Sequence, residues 1–409
     1  MNLELLKSKL NSHKLIDITG SKSESNRLLV LQQIFEGLEI NNLSNSDDTQ
    51  VLQKALSSSS SSIDVHHAGT AMRFLTAYFS VQENKEVILT GSDRMKDRPI
   101  EVLVDALRFL GADISYEGKD GFPPLRIKGG QLIKSEVSLK ANVSSQYISA
   151  LLLIASVLKN GLKLSLKGEI TSTPYIKMTL NLLNEIGVKS SFNKNIIIVY
   201  PSEISSLKRN VITVESDWSS ASYFYSLVAL SEIGTTISLS SFKETSLQGD
   251  IALVKIYSVF GVETIFEENT IHIKKVSENK KHKVFNLKDT PDIAQTIAVT
   301  SFGLGVTCDL YGLHTLKIKE TDRLEALKVE LEKLGGEVEV TKDSFHLKDI
   351  TKINNNIKVD TYQDHRMAMA FAPLALKTNI KINEAEVVSK SFPSFWTDLE
   401  SLGIIINKI

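Results

Sequence analysis

Cysteine is almost absent from this chain. The single thiol, Cys308, excludes an internal disulfide and any multi-cysteine metal site. It lies in the strand-like run Val306-Thr307-Cys308-Asp309-Leu310, which points to a buried, inert side chain rather than a nucleophile. Long apolar runs are missing too: none reaches the ~18 residues of a membrane span. The start, Met1-Asn2-Leu3-Glu4-Leu5-Leu6-Lys7, has an acid and amphipathic spacing unlike a signal or transit peptide, so a soluble, cytoplasmic protein is expected. A net charge of −1 gives no general attraction to nucleic acid or to a membrane.

Several catalytic signatures are absent as well. No His, Cys or carboxylate set has metal-ligand spacing, and no nucleophile elbow accompanies a Ser–His–Asp order. No G-x-G-x-x-G follows a strand, and the G-x-x-x-x-G-K-[ST] phosphate loop is missing. No metal, no cofactor and no acyl-enzyme chemistry is expected. Arginine is scarce: of 47 basic residues only nine are Arg. Six of them, Arg27, Arg73, Arg94, Arg98, Arg323 and Arg366, fall in the polar motifs below. Arginine differs from lysine in its planar fork, which holds a carboxylate or phosphate in two bonds. Its concentration in the motifs points to oxyanion ligands.

What is present is length, repetition and charge at loop–helix junctions. At 409 residues, 42% of them hydrophobic, two domains of roughly 200 residues each can be buried. Helix-like segments close on Gly111, Gly187, Gly261, Gly335 and Gly403, each followed by an apolar β-like run, at spacings of 76, 74, 74 and 68 residues. A degenerate earlier copy runs from Leu38 through Asp47-Asp48-Thr49 to Leu56, making six units, three per domain. Val211–Asp217 leading into a helix over Ser219–Leu230 reads as a crossover, and the Ser57–Ser62 run as a flexible loop without chemistry.

The polar junctions recur at one phase of this repeat. Gly20-Ser21-Lys22-Ser23-Glu24-Ser25-Asn26-Arg27 reads as a glycine turn opening a helix; it suits either an anion receptor or an ordinary serine-capped start. In His67-Ala68-Gly69-Thr70-Ala71-Met72-Arg73, glycine permits close backbone approach and Thr70 can cap the helix. Arg94-Met95-Lys96-Asp97-Arg98-Pro99 crowds charge into a loop ended by a proline suited to a first helical turn. Ser144-Ser145-Gln146, and Ser172 with Tyr175 one repeat later, offer hydroxyls and an amide at helix starts, where capping is the plain alternative. Asp292 opens an apolar helix, as a cap or as a catalytic group. Glu320 beside Lys319, in Lys317-Ile318-Lys319-Glu320-Thr321-Asp322-Arg323, places a titratable acid next to a cation. Gln363-Asp364-His365-Arg366 and Lys390-Ser391-Phe392-Pro393 add cations at helix starts, with Asp364 able to hold the His365 ring. Together these describe electrostatic and acid–base chemistry on a substrate with several anionic groups.

Gly20–Arg27, Ala68–Arg73, Arg94–Ile100, Ser144–Gln146, Lys319–Arg323, Asp364–Met369 and Lys390–Pro393, in that order over almost the whole chain, resemble the signature segments of the 5-enolpyruvylshikimate-3-phosphate synthase family. The resemblance implies an α/β (α+β) two-domain enolpyruvyl transferase fold, each domain three βαβαββ units around buried helices, an inside-out α/β barrel. One domain would span 20–215 and the other 1–19 with 216–409, hinged near 19–21 and 214–217. It implies transfer of enolpyruvyl from phosphoenolpyruvate to the 5-hydroxyl of shikimate 3-phosphate, in a cleft closed between the domains of a monomer.

By the same resemblance, Lys22 touches both substrates, while Ser23, Arg27, Ser144, Ser145, Gln146, Ser172, Tyr175, Asp292 and Lys319 hold shikimate 3-phosphate. Gly69, Arg98, Gln146, Arg323, His365, Arg366 and Lys390 surround phosphoenolpyruvate. Asp292 takes the proton of the attacking hydroxyl; Glu320 and Lys22 deliver and remove the methylene proton. His67, Thr315, Phe74 and Thr19 depart from the usual Asn, Asn, Pro and Pro of the family. Two other readings remain: the sister UDP-N-acetylglucosamine enolpyruvyl transferases, which use a loop cysteine in the first half, and a non-catalytic phosphometabolite-binding protein.

Overall fold

The computed structural model describes residues 1–140, 144–202 and 207–409. Its contacts divide the chain into two compact units, 20–214 and 1–19 with 215–409. The chain leaves one for the other between Thr19 and Gly20 and returns between Val214 and Glu215.

The helices of each unit fall into two kinds. In unit 20–214, Gly69–Ser80 and Ser145–Ile154 are buried on nearly every side, and Lys22–Ile34 on most. Glu101–Leu110 and Thr173–Glu185 instead bury one apolar face. A helix apolar all round can exist only in an interior. In the other unit, Trp218–Leu230, Ala294–Leu304 and His365–Phe371 are the enclosed helices, carrying runs such as Tyr223-Phe224-Tyr225 and Ile297-Ala298-Val299. The three pack on one another and bring their first turns, which carry the polar motifs, into one region.

The sheets lie around these helices with a common order. Strand Ser62–Asp64 runs parallel to Glu86–Thr90, which pairs antiparallel with Leu125–Lys128, itself antiparallel to Asp113–Tyr116. Four other four-stranded sheets repeat this pattern. Two of them borrow strands from the chain start: Lys14–Ile16 beside Thr236–Ser240, and Leu3–Leu6 between Ile380–Ile382 and Ile405–Lys408. The sixth unit is the degenerate one: Val211–Thr213 and Glu39–Asn41 pair in parallel, with no closing hairpin among the described residues. The five repeat glycines share a left-handed backbone, φ from 78° at Gly261 to 119° at Gly111, where a side chain would be strained.

Three local expectations change. Ser62 begins a strand rather than ending a flexible loop. Pro99 stays outside the helix, which starts at Glu101, and its carbonyl instead accepts from Arg73 and Tyr147. Lys390 ends a short 3-10 helix, Ala385–Lys390, rather than opening a helix.

Candidate active site

In unit 20–214, Ser21 caps the helix Lys22–Ile34, its Oγ accepting from the Glu24 amide. Gly20 is required by close approach: a Cβ there would stand 1.8 Å from the Asn42 carbonyl oxygen. Lys22, in the first turn, extends Nζ to Asp48 Oδ2 at 3.1 Å. Arg27, one turn on and 3% exposed, directs its fork at the protein itself. It donates to the Ser23 carbonyl at 2.7 Å, Thr179 Oγ1 at 2.7 Å, Ser149 Oγ at 2.9 Å and the Tyr175 carbonyl at 3.3 Å. Burial lowers its pKa to about 10. Arg27 thereby fixes the backbone of Ser23 and Tyr175.

The second group in this unit forms where Gly69 meets Arg98. A Cβ on Gly69 would stand 2.5 Å from Arg98 Nη1, so only glycine lets the guanidinium lie on the chain. Thr70 does not cap this helix; its Oγ1 accepts from Gln146 Nε2 at 3.0 Å, which ties Gln146 to the residue after Gly69. Arg73, unassigned by sequence, braces both loops through the Gly69 carbonyl at 3.3 Å and the Pro99 carbonyl at 2.9 Å. Ser144 caps its helix through the Gln146 amide at 3.3 Å, and Ser145 is the first helical residue. Ser172 departs from a capping role: it has φ 54° and its side chain makes no cap bond, while its carbonyl accepts from the Tyr175 amide at 3.1 Å. His67 Nδ1 meets Ser92 Oγ at 2.8 Å.

In the other unit the acids and cations form one network centred on Arg323, 2% exposed. Its Nε donates to Asp364 Oδ2 at 2.6 Å, Nη1 to Asp292 Oδ1 at 2.9 Å and Nη2 to Glu320 Oε2 at 2.8 Å. Lys390 Nζ meets Glu320 Oε1 at 3.0 Å. Lys319 Nζ lies 3.4 Å from Asp292 Oδ1, and Arg366 Nη2 lies 3.5 Å from Oδ2. Asp292 stands inside the first 3-10 turn, Pro291–Ile293, rather than at the cap position, and its carboxylate faces Arg323, Lys319 and Arg366. Glu320 accepts from Arg323 and Lys390, and the adjacent Lys319 reaches Asp292. Asp364 does not hold the His365 ring, 3.8 Å away; it receives Arg323 and caps the Arg366 amide at 2.9 Å.

Charge sets the proton affinities here. Burial alone would raise the Asp292 carboxyl; Lys319, Arg366 and Arg323 outweigh it and hold it well below the usual carboxylate range. Burial lowers Lys319, against the opposing pull of Asp292. Asp250, absent from the sequence-predicted set, binds Ser219 and Thr290 by short hydrogen bonds, and Ser219 Oγ accepts from Arg366 Nη2 at 3.4 Å. Burial first, then the charge of Asp292, push Asp250 up to about 6. The polar stretch Lys243–Asp250 occupies the same repeat phase as the other motifs, and that position was the available signal.

Interior helices within repeated mixed sheets give this chain the fold of the enolpyruvyl transferases. Two solved structures share this fold across their length. EPSP synthase from Acinetobacter baumannii superposes with a TM-score of 0.80 at 22% identity, covering 99% of each chain. The enolpyruvyl transferase NikO from Streptomyces tendae gives a TM-score of 0.76 at 14% identity, covering 99% of this chain and 98% of that one.

The chain belongs to the EPSP synthase (3-phosphoshikimate 1-carboxyvinyltransferase) family, whose sequence profile matches residues 52–399. It is 47% identical over 393 residues to the 3-phosphoshikimate 1-carboxyvinyltransferase of Bacteroides fragilis, covering 95% of each chain. To that of Photobacterium damsela subsp. piscicida it is 35% identical over 416 residues, covering 95% of this chain and 96% of the relative.

Proposed function

We propose that this protein transfers the enolpyruvyl group of phosphoenolpyruvate to the 5-hydroxyl of shikimate 3-phosphate, releasing phosphate. The observation that carries this reading is the Arg323 network, where two acids suited to proton transfer, Asp292 and Glu320, share one buried guanidinium. A site that only bound anions would gain nothing from carboxylates in it, because they repel the ligand. Family membership supplies the two substrates. The sister reaction on UDP-N-acetylglucosamine would call for a reactive thiol, and Cys308 is buried with its pKa raised by burial to about 12.

Both substrates are polyanions, so binding brings several negative charges to these cations. In this reading Lys22, Arg98, Gln146 and Gly69 of one unit, with Arg323, Arg366, Lys390 and His365 of the other, take phosphoenolpyruvate. Ser23, Ser144, Ser145, Ser172 and Tyr175, with Lys319 and Asp292, take shikimate 3-phosphate, while Arg27, expected as a direct ligand, has its fork occupied by protein groups and acts by holding Ser23 and Tyr175 in place. The cations now on Asp292 turn toward substrate, its proton affinity rises, and it becomes able to accept the hydroxyl proton. The hydroxyl oxygen bonds to C2 of phosphoenolpyruvate as C3 takes a proton. The C2–O bond to phosphate then breaks and C3 returns a proton, with Glu320 and Lys22 handling the carbon-bound protons. Phosphate is the only leaving group, and the reaction balances without an oxidant or reductant.

The test is product identity. Incubation with both substrates is expected to give shikimate 3-phosphate bearing a vinyl ether on its 5-oxygen, visible by carbon and phosphorus NMR. Unchanged shikimate 3-phosphate, or a modified 4-hydroxyl, would overturn the reading.

A further inference from the structure

Between strand Ile357–Val359 and helix His365–Phe371, two consecutive residues have left-handed backbones: Tyr362 at φ 54° and Gln363 at φ 56°. Neither is glycine or asparagine. A bulky side chain in this region is strained, and it persists only where its surroundings over-determine it. The residues that follow at once are Asp364, whose carboxylate receives Arg323, and Arg366, which faces Asp292.

What holds this turn lies behind the charge network. The Tyr362 hydroxyl donates to Glu330 Oε1 at 2.6 Å. Glu330 is completely buried on the helix Arg323–Leu334 and lies two turns beyond Arg323, on the same helical face. Lys333 Nζ closes the group, binding Glu330 Oε1 at 2.8 Å, Oε2 at 2.9 Å and Asp360 Oδ2 at 2.8 Å. Asn383 donates to the other oxygen of Asp360. One helix is therefore stitched to one turn at two places, Arg323 to Asp364 and Glu330 to Tyr362. A fully buried carboxylate carries a high desolvation cost, and Lys333 with the Tyr362 hydroxyl offsets it.

We propose that Tyr362 and Glu330 are positioning residues: their hydrogen bond, braced by Lys333, holds the strained Tyr362–Gln363 turn so that Asp364 meets Arg323 and Arg366 faces Asp292. This rests on the reading of that network as the site of enolpyruvyl transfer. Burial first, then the hydrogen bond to Glu330 and its charge, raise the Tyr362 hydroxyl, so it keeps its proton and remains a donor at neutral and mildly alkaline pH. The clamp touches no substrate. Its loss shifts guanidinium and carboxylate groups that must be correctly placed in the transition state, so turnover falls further than affinity.

The test compares purified full-length wild type with Tyr362→Phe, Glu330→Gln and Glu330→Leu, reading phosphate release from phosphoenolpyruvate with shikimate 3-phosphate alongside thermal unfolding. A core variant, Phe260→Leu, serves as a control for general destabilisation. The clamp predicts that Tyr362→Phe loses about tenfold in kcat, with KM for shikimate 3-phosphate within about twofold and a Tm drop no larger than that of the control. Glu330→Gln, which keeps a carbonyl acceptor for the hydroxyl, retains most of the kcat that Glu330→Leu loses. If Tyr362→Phe does not fold, the Gln and Leu pair at Glu330 decides by the same contrast. An active wild type beside an equally active Tyr362→Phe, or equal kcat for the two Glu330 variants, would overturn the clamp. A wild type that releases no phosphate would overturn the functional reading first, and the clamp with it.

Discussion

Arg323 Nη1 and Asp292 Oδ1 meet at 2.9 Å, and the same guanidinium reaches Asp364 and Glu320 through its other nitrogens. The three carboxylates are met by three different nitrogens of the guanidinium, a spread that a single ammonium nitrogen does not reproduce. Arg323→Lys is therefore expected to strand at least one buried acid. Denaturant unfolding should show a loss of about 3–5 kcal/mol, and kcat should fall by about 100-fold or more. Near-normal stability with lysine would show that Lys319, Arg366, Lys390 and the Arg366 amide suffice for the three acids without the Arg323 fork.

Glu320 contacts Arg323 and Lys390, both cations whose fork or ammonium can turn to an incoming anion. Glu320→Gln keeps the shape and removes the titratable proton. Turnover should fall about 100-fold or more while both KM values stay within about threefold. Equal losses in kcat and affinity would assign Glu320 to structure.

Asp250 titrates at about 6 instead of 3.8, because burial and the Asp292 charge disfavour its ionised form. A native pKa above the unfolded value means stability is fully present below the unfolded pKa and is lost as pH rises through the native one. Between roughly pH 4 and 7 the wild type should lose about 3 kcal/mol through this group. Asp250→Asn lacks the titration, so the difference in unfolding free energy between variant and wild type should shift in favour of the variant across that window. A difference independent of pH would place the ionisation elsewhere.

Lys22 and Asp48 pair at 3.1 Å with both side chains largely shielded. Lys22→Ala leaves the Asp48 carboxylate without this partner, and a stability cost of about 1–3 kcal/mol is expected. Adding Asp48→Ala should recover that stability but not the activity, if the lysine serves substrates. Recovery of both would reduce Lys22 to a structural partner of Asp48.

The fold was legible because the repeat leaves a fixed mark: in five of its units one helix closes on a glycine, with an apolar run after it. Gly111 and Gly335 carry it for a backbone reason, their left-handed φ, and the same reason applies at Gly187, Gly261 and Gly403. Residue types at the junctions were legible as well, since phosphate and carboxylate recognition draws on arginine, lysine, serine and glycine. Pairings were harder to read. Lys319 and Glu320 are adjacent in the chain but serve different partners, because successive side chains at an irregular turn diverge. Ser172 looked like a helix cap and its side chain makes no cap bond, while Asp292 sits within the first turn and faces three cations. Arg73 and Asp250 stand in polar stretches of the repeat but their roles, like that of Glu330, come from contacts between segments far apart in the chain.

The central claim is tested most directly by phosphate release from phosphoenolpyruvate, measured with shikimate 3-phosphate, with UDP-N-acetylglucosamine and with neither. Release that depends on shikimate 3-phosphate alone is the predicted result. Release with UDP-N-acetylglucosamine instead, or no release with either acceptor, would contradict it.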